Sequence, residues 1–245
     1  MLLQHAAFYD RLTDPRPALF ITVSPRLKNE LKQKYEELTP IHGACLPKTI
    51  FFSFQDFIAD LLKHYQVQDF QGKGSCTFQG YIFLRKSRKE IKLEPHLLEN
   101  EIGGVILGSV AAARQSRALS RDQYLQDKRS NIPNNNKEGR QCRELVFDEY
   151  ERYSEWKRTN RKFDIHDVVL CLLKEKQEQL FASGKVFLIL SRIIVPCLHT
   201  TNSTPCLAYL DEVQDLSHAA IFLICSIAGR DHQYWVCGGD PAQVS

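Results

Sequence analysis

Residues 206–243 read CLAYLDEVQDLSHAAIFLICSIAGRDHQYWVCGGDPAQ. One apolar run ends in Asp211-Glu212-Val213-Gln214-Asp215. A helical stretch follows, and a second apolar run, 233–237, ends in Gly238-Gly239-Asp240-Pro241-Ala242-Gln243. Asp211 and Asp240 are 29 residues apart, room for one crossover helix. The two runs are therefore expected to be parallel strands with both tips at the carboxyl edge of one sheet, where open α/β sheets bind ligands. Hydrolysis of a nucleoside triphosphate needs Mg²⁺ near the β and γ phosphates and a group that orients or deprotonates water. An Asp at a strand tip suits the metal, and the adjacent Glu suits the base. A Gln on the neighbouring tip can hydrogen-bond the γ-phosphate or the water. Asp211, Glu212 and Gln243 are the candidates for these roles.

Upstream, strand and helix also alternate. The run 18–23 (ALFITV) reads as a short buried strand, and Ser24 is placed to cap a helix with Pro25 at its first position, where a missing N–H costs little. Leu27, Leu31, Tyr35 and Leu38 mark the buried stripe of that helix. Thr49 to Phe52 is a second strand, and Ser53-x-x-Asp56 is a variant capping box. Phe54, Phe57, Ile58, Leu61, Leu62 and Tyr65 then follow helical spacing. Near the other end, Asp164-x-x-Asp167 caps a helix reaching about Leu180, 186–195 looks strand-like, and Ser217 caps a helix carrying Leu223, Ile224 and Ile227. Short βα connections favour a parallel sheet.

The middle of the chain differs. Residues 66–80 are polar and contain glycine, which predicts a loop, and 86–92 form a basic cluster. Residues 94–162 are mainly helical in pattern. Ser120-x-x-Gln123 forms a capping box, 131–139 form a loop, and Val146, Tyr150, Tyr153 and Trp156 lie along one helical stripe. The expected organisation is a first α/β part in 1–80, an all-helical insertion in 81–163 and a second α/β part in 164–245. The basic groups at 86–92 and at Lys157, Arg158, Arg161 and Lys162 read as solvated faces more than phosphate contacts. Trp156 and its neighbouring tyrosines read as core more than as a platform for bases.

DEVQD followed by GGDPAQ resembles motifs II and III of the UvrD/Rep-like helicases of superfamily 1. The Gln at the fourth position separates this pattern from the DEAD-box one. The segment ALFITVSPRLKNEL resembles the region of motif Ia. FSFQDFIADLL, EIGGVILGS, ALSRDQYL, VFDEYERYSEWK and FDIHDVVLCLL resemble the helicase domain of large eukaryotic proteins that also carry TPR and ankyrin repeats. The resemblance implies a partial P-loop NTPase (RecA-like) sheet with a helical insertion, and ATP and Mg²⁺ as cofactors. It implies Asp211 and Glu212 as the residues at the Mg²⁺, with Glu212 also the catalytic base, and Gln243 as γ-phosphate sensor. Gln214, Asp215 and Asp240 would position the nucleotide groups. Thr22 and Ser24 would contact single-stranded nucleic acid, DNA being favoured over RNA.

A nucleotide-binding P-loop reads GxxxxGK[ST]. Gly72-Lys73-Gly74 has Gly after the Lys, and Gly184-Lys185-Val186 has Val there, so neither qualifies. The resemblance places the P-loop upstream of the strand at Ala18 and the second RecA-like domain downstream of Ser245. The expectation is a fragment of a first motor domain, inactive by itself and completed by those segments in a longer protein. Two rivals remain: a non-catalytic scaffold that keeps the fold, and a P-loop ATPase acting on protein partners. Residues 182–205 look inserted, either a genuine loop with a strand or a retained intron.

The composition agrees with a folded domain and excludes fibrous and low-complexity classes: 245 residues, 43% hydrophobic, 25% charged, with 12 Gly and 10 Pro. Lys+Arg 32 against Asp+Glu 29 gives a net charge of +3, too mild to argue for nucleic acid alone. His5, Asp10, Arg11 and Asp14 interrupt any signal-peptide core. The longest mostly apolar run, 186–198, has 13 residues, short of the ~20 that span a bilayer. An intracellular protein is expected. The eight cysteines show no CxxC spacing and read as buried free thiols. Cys197, His199 and Cys206 would give three zinc ligands without an evident fourth.

Overall fold

The structure is a computed structural model that describes residues 18–42, 49–86, 93–183, 207–228 and 235–238. In chain order the elements are β1 (Ala18–Thr22), α1 (Pro25–His42), β2 (Thr49–Ser53), α2 (Phe54–His64), β3 (Gly74–Ser75), α3 (Phe78–Lys86), α4 (Pro95–Glu99), a π-helical segment (Asn100–Ile106), α5 (Val110–Gln115), α6 (Arg121–Gln126), α7 (Lys137–Thr159), β4 (Lys162–Phe163), α8 (Ile165–Ser183), β5 (Leu207–Leu210), a 3₁₀ turn (Val213–Asp215), α9 (His218–Ala228) and β6 (Trp235–Cys237). The fold is mixed α/β, with a four-stranded parallel sheet in the order β2-β1-β5-β6 and a two-stranded parallel pair, β3-β4. Contacts divide the described residues into two units. One comprises 18–42, 49–64, 207–216, 224–228 and 235–238; the other comprises 65–86, 93–183 and 217–223.

In the first unit the pleat sorts side chains by parity. Phe20 is in register with Phe51 on one side and Tyr209 on the other, so the three share a face. Leu31 packs on that face, and the Tyr35 ring lies 5.5 Å from Phe51, which docks the apolar stripe of α1; its residues Leu27, Leu31, Tyr35 and Leu38 are half-buried rather than buried. Ile21 is in register with Phe52 and Leu210 on the opposite face. There α2 contributes Phe57, its ring 5.9 Å from Phe52, and buries Phe54, Ile58 and Leu61 as well. Phe54, Phe57, Ile58 and Leu61, the buried ones, each contribute roughly 1.5–3 kcal/mol. The caps form as the sequence predicts. Leu27 N donates to Ser24 Oγ at 3.2 Å, and Asp56 N donates to Ser53 Oγ at 3.1 Å. Lys28 Nζ reaches Asp56 at 2.8 Å across the first turns of α1 and α2.

The second unit is helical around α7. Ser120 and Gln123 form a full capping box for α6, and Asn136 caps α7 by accepting from Gly139 N at 2.7 Å. Asp164 and Asp167 cap α8 reciprocally, each side chain accepting from the other's backbone N at 3.0 Å. Two readings are corrected here. Residues 66–80 are not loop throughout: Gly74–Ser75 pairs with Lys162–Phe163, and α3 begins at Phe78. Lys157 is no solvated cation either. It is 5% exposed, and its ammonium lies 2.8 Å from Asp164 and 2.7 Å from Asp167. The strand expected at 186–195 lies outside the described residues. Among the described residues, no helix is long and apolar enough to cross a membrane.

Where the π-helical segment passes α8, a Cβ on Gly103 would stand 3.3 Å from His166 Nε2. Burial lowers the His166 pKa from 6.5, and Lys157 lowers it further, while Asp164, Asp167 and Glu99 oppose this. A histidine held neutral in the folded state takes up protons more readily when unfolded. Stability is therefore expected to fall as pH drops through 6.5, and His166→Gln should flatten that part of the curve. Urea unfolding of both proteins between about pH 7.5 and 5.5 checks this, and identical slopes would refute it.

Candidate functional site

The four-stranded sheet is parallel throughout, so β1, β2, β5 and β6 end at one edge. In register order the last residues are Ser53, Thr22, Leu210 and Cys237, and Asp211 and Gly238 come immediately after the last two. Asp211 N donates to Ile21 O at 3.0 Å, and Gly238 N donates to Leu210 O at 2.7 Å, extending the ladder to the tip. Beyond it the chain turns. Val213 N donates to Gly238 O at 3.1 Å and Asp215 N to Glu212 O at 3.0 Å, closing the 3₁₀ turn over the end of β6.

Glu212 sits in the left-handed region at φ 53° and ψ 45°. A residue with a Cβ pays about 1–2 kcal/mol there, so the packed turn must hold it. The consequence is geometric: Asp211 continues the strand while Glu212 leaves it, and the two carboxylates do not follow the alternation of a strand. Gly238 keeps the space beside Asp211 clear, because a Cβ there would stand 3.0 Å from Asp211 Oδ1. The motif GGDPAQ draws attention to its Asp and Gln. The role of its first Gly is visible only once the neighbouring strand is in place.

Asp211, Glu212 and Gln214 are half-buried, and Asp215 is exposed. Gln214 Oε1 is buried and has no hydrogen-bond partner among the described residues, a costly state for an amide oxygen. Thr22 is fully buried, and its Oγ1 accepts from Ser24 N at 3.2 Å, while Ser24 Oγ caps α1. A contact through Thr22 would therefore require the turn at Val23–Ser24 to open. Asp240 and Gln243 lie outside the described residues, as do Cys197, His199 and Cys206. Among the described residues, no three His, Cys, Asp or Glu side chains form a group able to hold a metal ion. Mg²⁺ does not require such a group, since it binds through one or two carboxylates with phosphates and waters. Asp211, with no side chain on Gly238 to crowd its Oδ1, suits that arrangement.

Cys76, Cys142, Cys171, Cys225 and Cys237 are free thiols, the first four half-buried and Cys237 exposed. Full burial, expected for the cysteines, is thus not seen at these five. Desolvation raises the pKa of Cys76, Cys142 and Cys225, and pushes Cys171 up to about 11, which leaves all four poor nucleophiles.

The described residues thus define a mixed α/β protein whose parallel sheet carries an acidic pair at its carboxyl edge. No protein-family model matches the chain, and no curated protein matches it.

Proposed function

We propose that this chain is part of an ATP-dependent UvrD-like helicase motor of superfamily 1. Its sheet would be the RecA-like core, and 81–163 a helical insertion. The observation that carries this reading is the parallel register that sets Asp211 beside Gly238 at the carboxyl edge, with Glu212 turned out of the strand. In this reading Asp211 holds Mg²⁺ and Glu212 accepts the proton of the attacking water. Gln214 and Asp215 position the groups of the turn, with the Oε1 of Gln214, which has no partner among the described residues, ready to accept a donor when nucleotide binds. Asp240 and Gln243 would follow on the adjacent tip, Gln243 as the γ-phosphate sensor, and Thr22 and Ser24 would face single-stranded nucleic acid. Mg-ATP, when bound, supplies the phosphoryl group to be transferred to water.

The sequence contains no GxxxxGK[ST], and the Lys of that motif supplies much of the phosphate grip. The purified chain is therefore expected to bind Mg-ATP only at about millimolar Kd or weaker. Isothermal titration of Mg-ATP checks this, and micromolar binding abolished by Asp211→Ala would overturn it. A longer product supplying the P-loop should show ATP hydrolysis stimulated by single-stranded DNA and lost sharply in Glu212→Gln. Stimulation by a protein partner instead would favour the ATPase rival, and no hydrolysis would favour the scaffold.

A further inference from the structure

Two stretches of the second unit have no part in the proposed hydrolytic site: the turn Gly72-Lys73-Gly74-Ser75, which fails as a P-loop, and the pair Arg161-Lys162 that follows α7. The β3-β4 ladder joins them. Gly74 is in register with Lys162, and Gly74 N donates to Arg161 O at 2.9 Å. Three cations far apart in the sequence thereby share one turn. Lys73 and Arg161 are exposed, and Lys162 is half-buried.

The backbone is shaped to hold them there. The position after a helix C-cap commonly takes Gly in the left-handed region. Here Asn160 is the C-cap of α7, and the next residue is Arg161, at φ 51°. Its guanidinium lies over Gly72, itself at φ 69°, where a Cβ would stand 3.6 Å from Arg161 Nη2. Lys162 lies across Gly74, where a Cβ would stand 2.5 Å from its Nζ. The two glycines thus leave room for two of the cations, and the third, Lys73, stands between them with its ammonium 5.9 Å from the Phe70 ring. Among the described residues, none of the three cations forms an ion pair. The carboxylates nearest in sequence are engaged elsewhere: Asp69 accepts from Cys171 Sγ at 3.9 Å, Glu155 is matched by Arg158 at 2.6 Å, and Asp164 and Asp167 hold Lys157. The carboxyl end of α7 is close, but its carbonyls are occupied too. Trp156 O accepts from Asn160 N and Nδ2, and Arg158 O accepts from Arg161 N.

We propose that this turn binds a phosphate monoester group, presented as a phosphoserine or phosphothreonine of a protein partner. Arg161 grips two of its oxygens as a fork, and Lys73 and Lys162 add their charge from either side. Three cations on one short turn match the charge of about −1.5 to −2 that such a group concentrates at one point. A nucleic-acid backbone instead spreads single charges along its length. The exposure of Gly72, Lys73 and Arg161 suits a group carried on a chain, whereas a free small molecule needs a cleft that buries most of it. The site stands independently of the nucleotide reading.

Amide NMR shifts of the isotope-labelled chain test it with three probes: the peptide GAGASGAGA phosphorylated on its serine, the same peptide unphosphorylated, and an oligothymidylate. The phosphopeptide is expected to shift the amides of Gly72, Lys73 and Gly74 saturably, and the other two probes are not. Arg161→Gly and Lys73→Ala should each weaken the binding by about tenfold. Glycine is the residue that the left-handed position prefers, so Arg161→Gly removes the guanidinium without straining the turn. Lys73 is exposed, so Lys73→Ala decides the matter even where Arg161→Gly alters the ladder. No saturable shift with the phosphopeptide, unchanged affinity in Lys73→Ala, or equal shifts of the same amides by either other probe would each overturn the proposal.

Discussion

Replacing Lys157 by Met is expected to cost about 3–5 kcal/mol of stability, because it strands Asp164 as a buried charge without its partner. Asp164 is 5% exposed and accepts from the Lys157 ammonium at 2.8 Å and from Tyr153 Oη at 2.7 Å. Burial pulls the Lys157 pKa down, but Asp164 and Asp167 more than offset it, so the pKa is raised from 10.5. Burial pushes Asp164 up, and Lys157 outweighs that, so its pKa is lowered from 3.8. The carboxylate's contribution is present above pH 3.8 and is lost as pH falls through the folded pKa. The ammonium's contribution is present below pH 10.5 and is lost as pH rises through its own folded pKa. The pair is therefore at full strength between about pH 4 and 10. Urea unfolding near pH 7 measures the loss. Adding Asp164→Asn to Lys157→Met should restore part of it, since the double variant buries no lone charge while keeping an acceptor for Asp167 N. A double variant no more stable than the single one would refute this account.

Gly108→Ala should cost about 3 kcal/mol, the upper end of the usual range for overpacking. A Cβ there would overlap the Gly103 carbonyl oxygen and stand 2.8 Å from Ser217 Cβ. The first of these is backbone within the π-helical segment and cannot rotate aside. The Gly108 carbonyl also accepts from Ala219 N at 2.7 Å, so displacing it loosens the first turn of α9. The expected readout is a lower urea midpoint together with faster hydrogen exchange at Ala219. A midpoint within experimental error of the parent would show that the segment relaxes freely.

The caps were the most legible part of the fold, because each is a local bargain between one side chain and a backbone N–H two or three residues on. Ser24, Ser53, Ser120 and Asp164 could all be read without knowing anything distant. The acidic edge was legible for a related reason: two apolar runs joined by one helix leave little choice but a parallel pair, so Asp211 and Gly238 had to come together. Lys157 was misread because its partners arrive 7 and 10 residues later, after the chain has left α7 and turned into α8. A run of Lys and Arg looks the same whether one of them folds inward or not. The pairing of Gly74–Ser75 with Lys162–Phe163 was invisible because strands of two residues have no alternation to detect. The left-handed Glu212 carries no local signal either, since nothing about Glu favours that conformation.

The strand order also sets a timetable. β1 pairs with β2 after a short delay, but its other neighbour, β5, comes about 190 residues later, with Ala18 opposite Leu207. At a synthesis rate of about 5–20 residues per second, the gap lasts on the order of 10–40 s. Through that interval the β5-side edge of β1 waits with its amides and carbonyls unsatisfied and with Phe20 and Ile21 beside them. Such an edge is a template for pairing with the wrong chain. A newborn chain of this protein is therefore most vulnerable to aggregation before its acidic strand tip has left the ribosome, and a chaperone that shields the first two strands would act in that window.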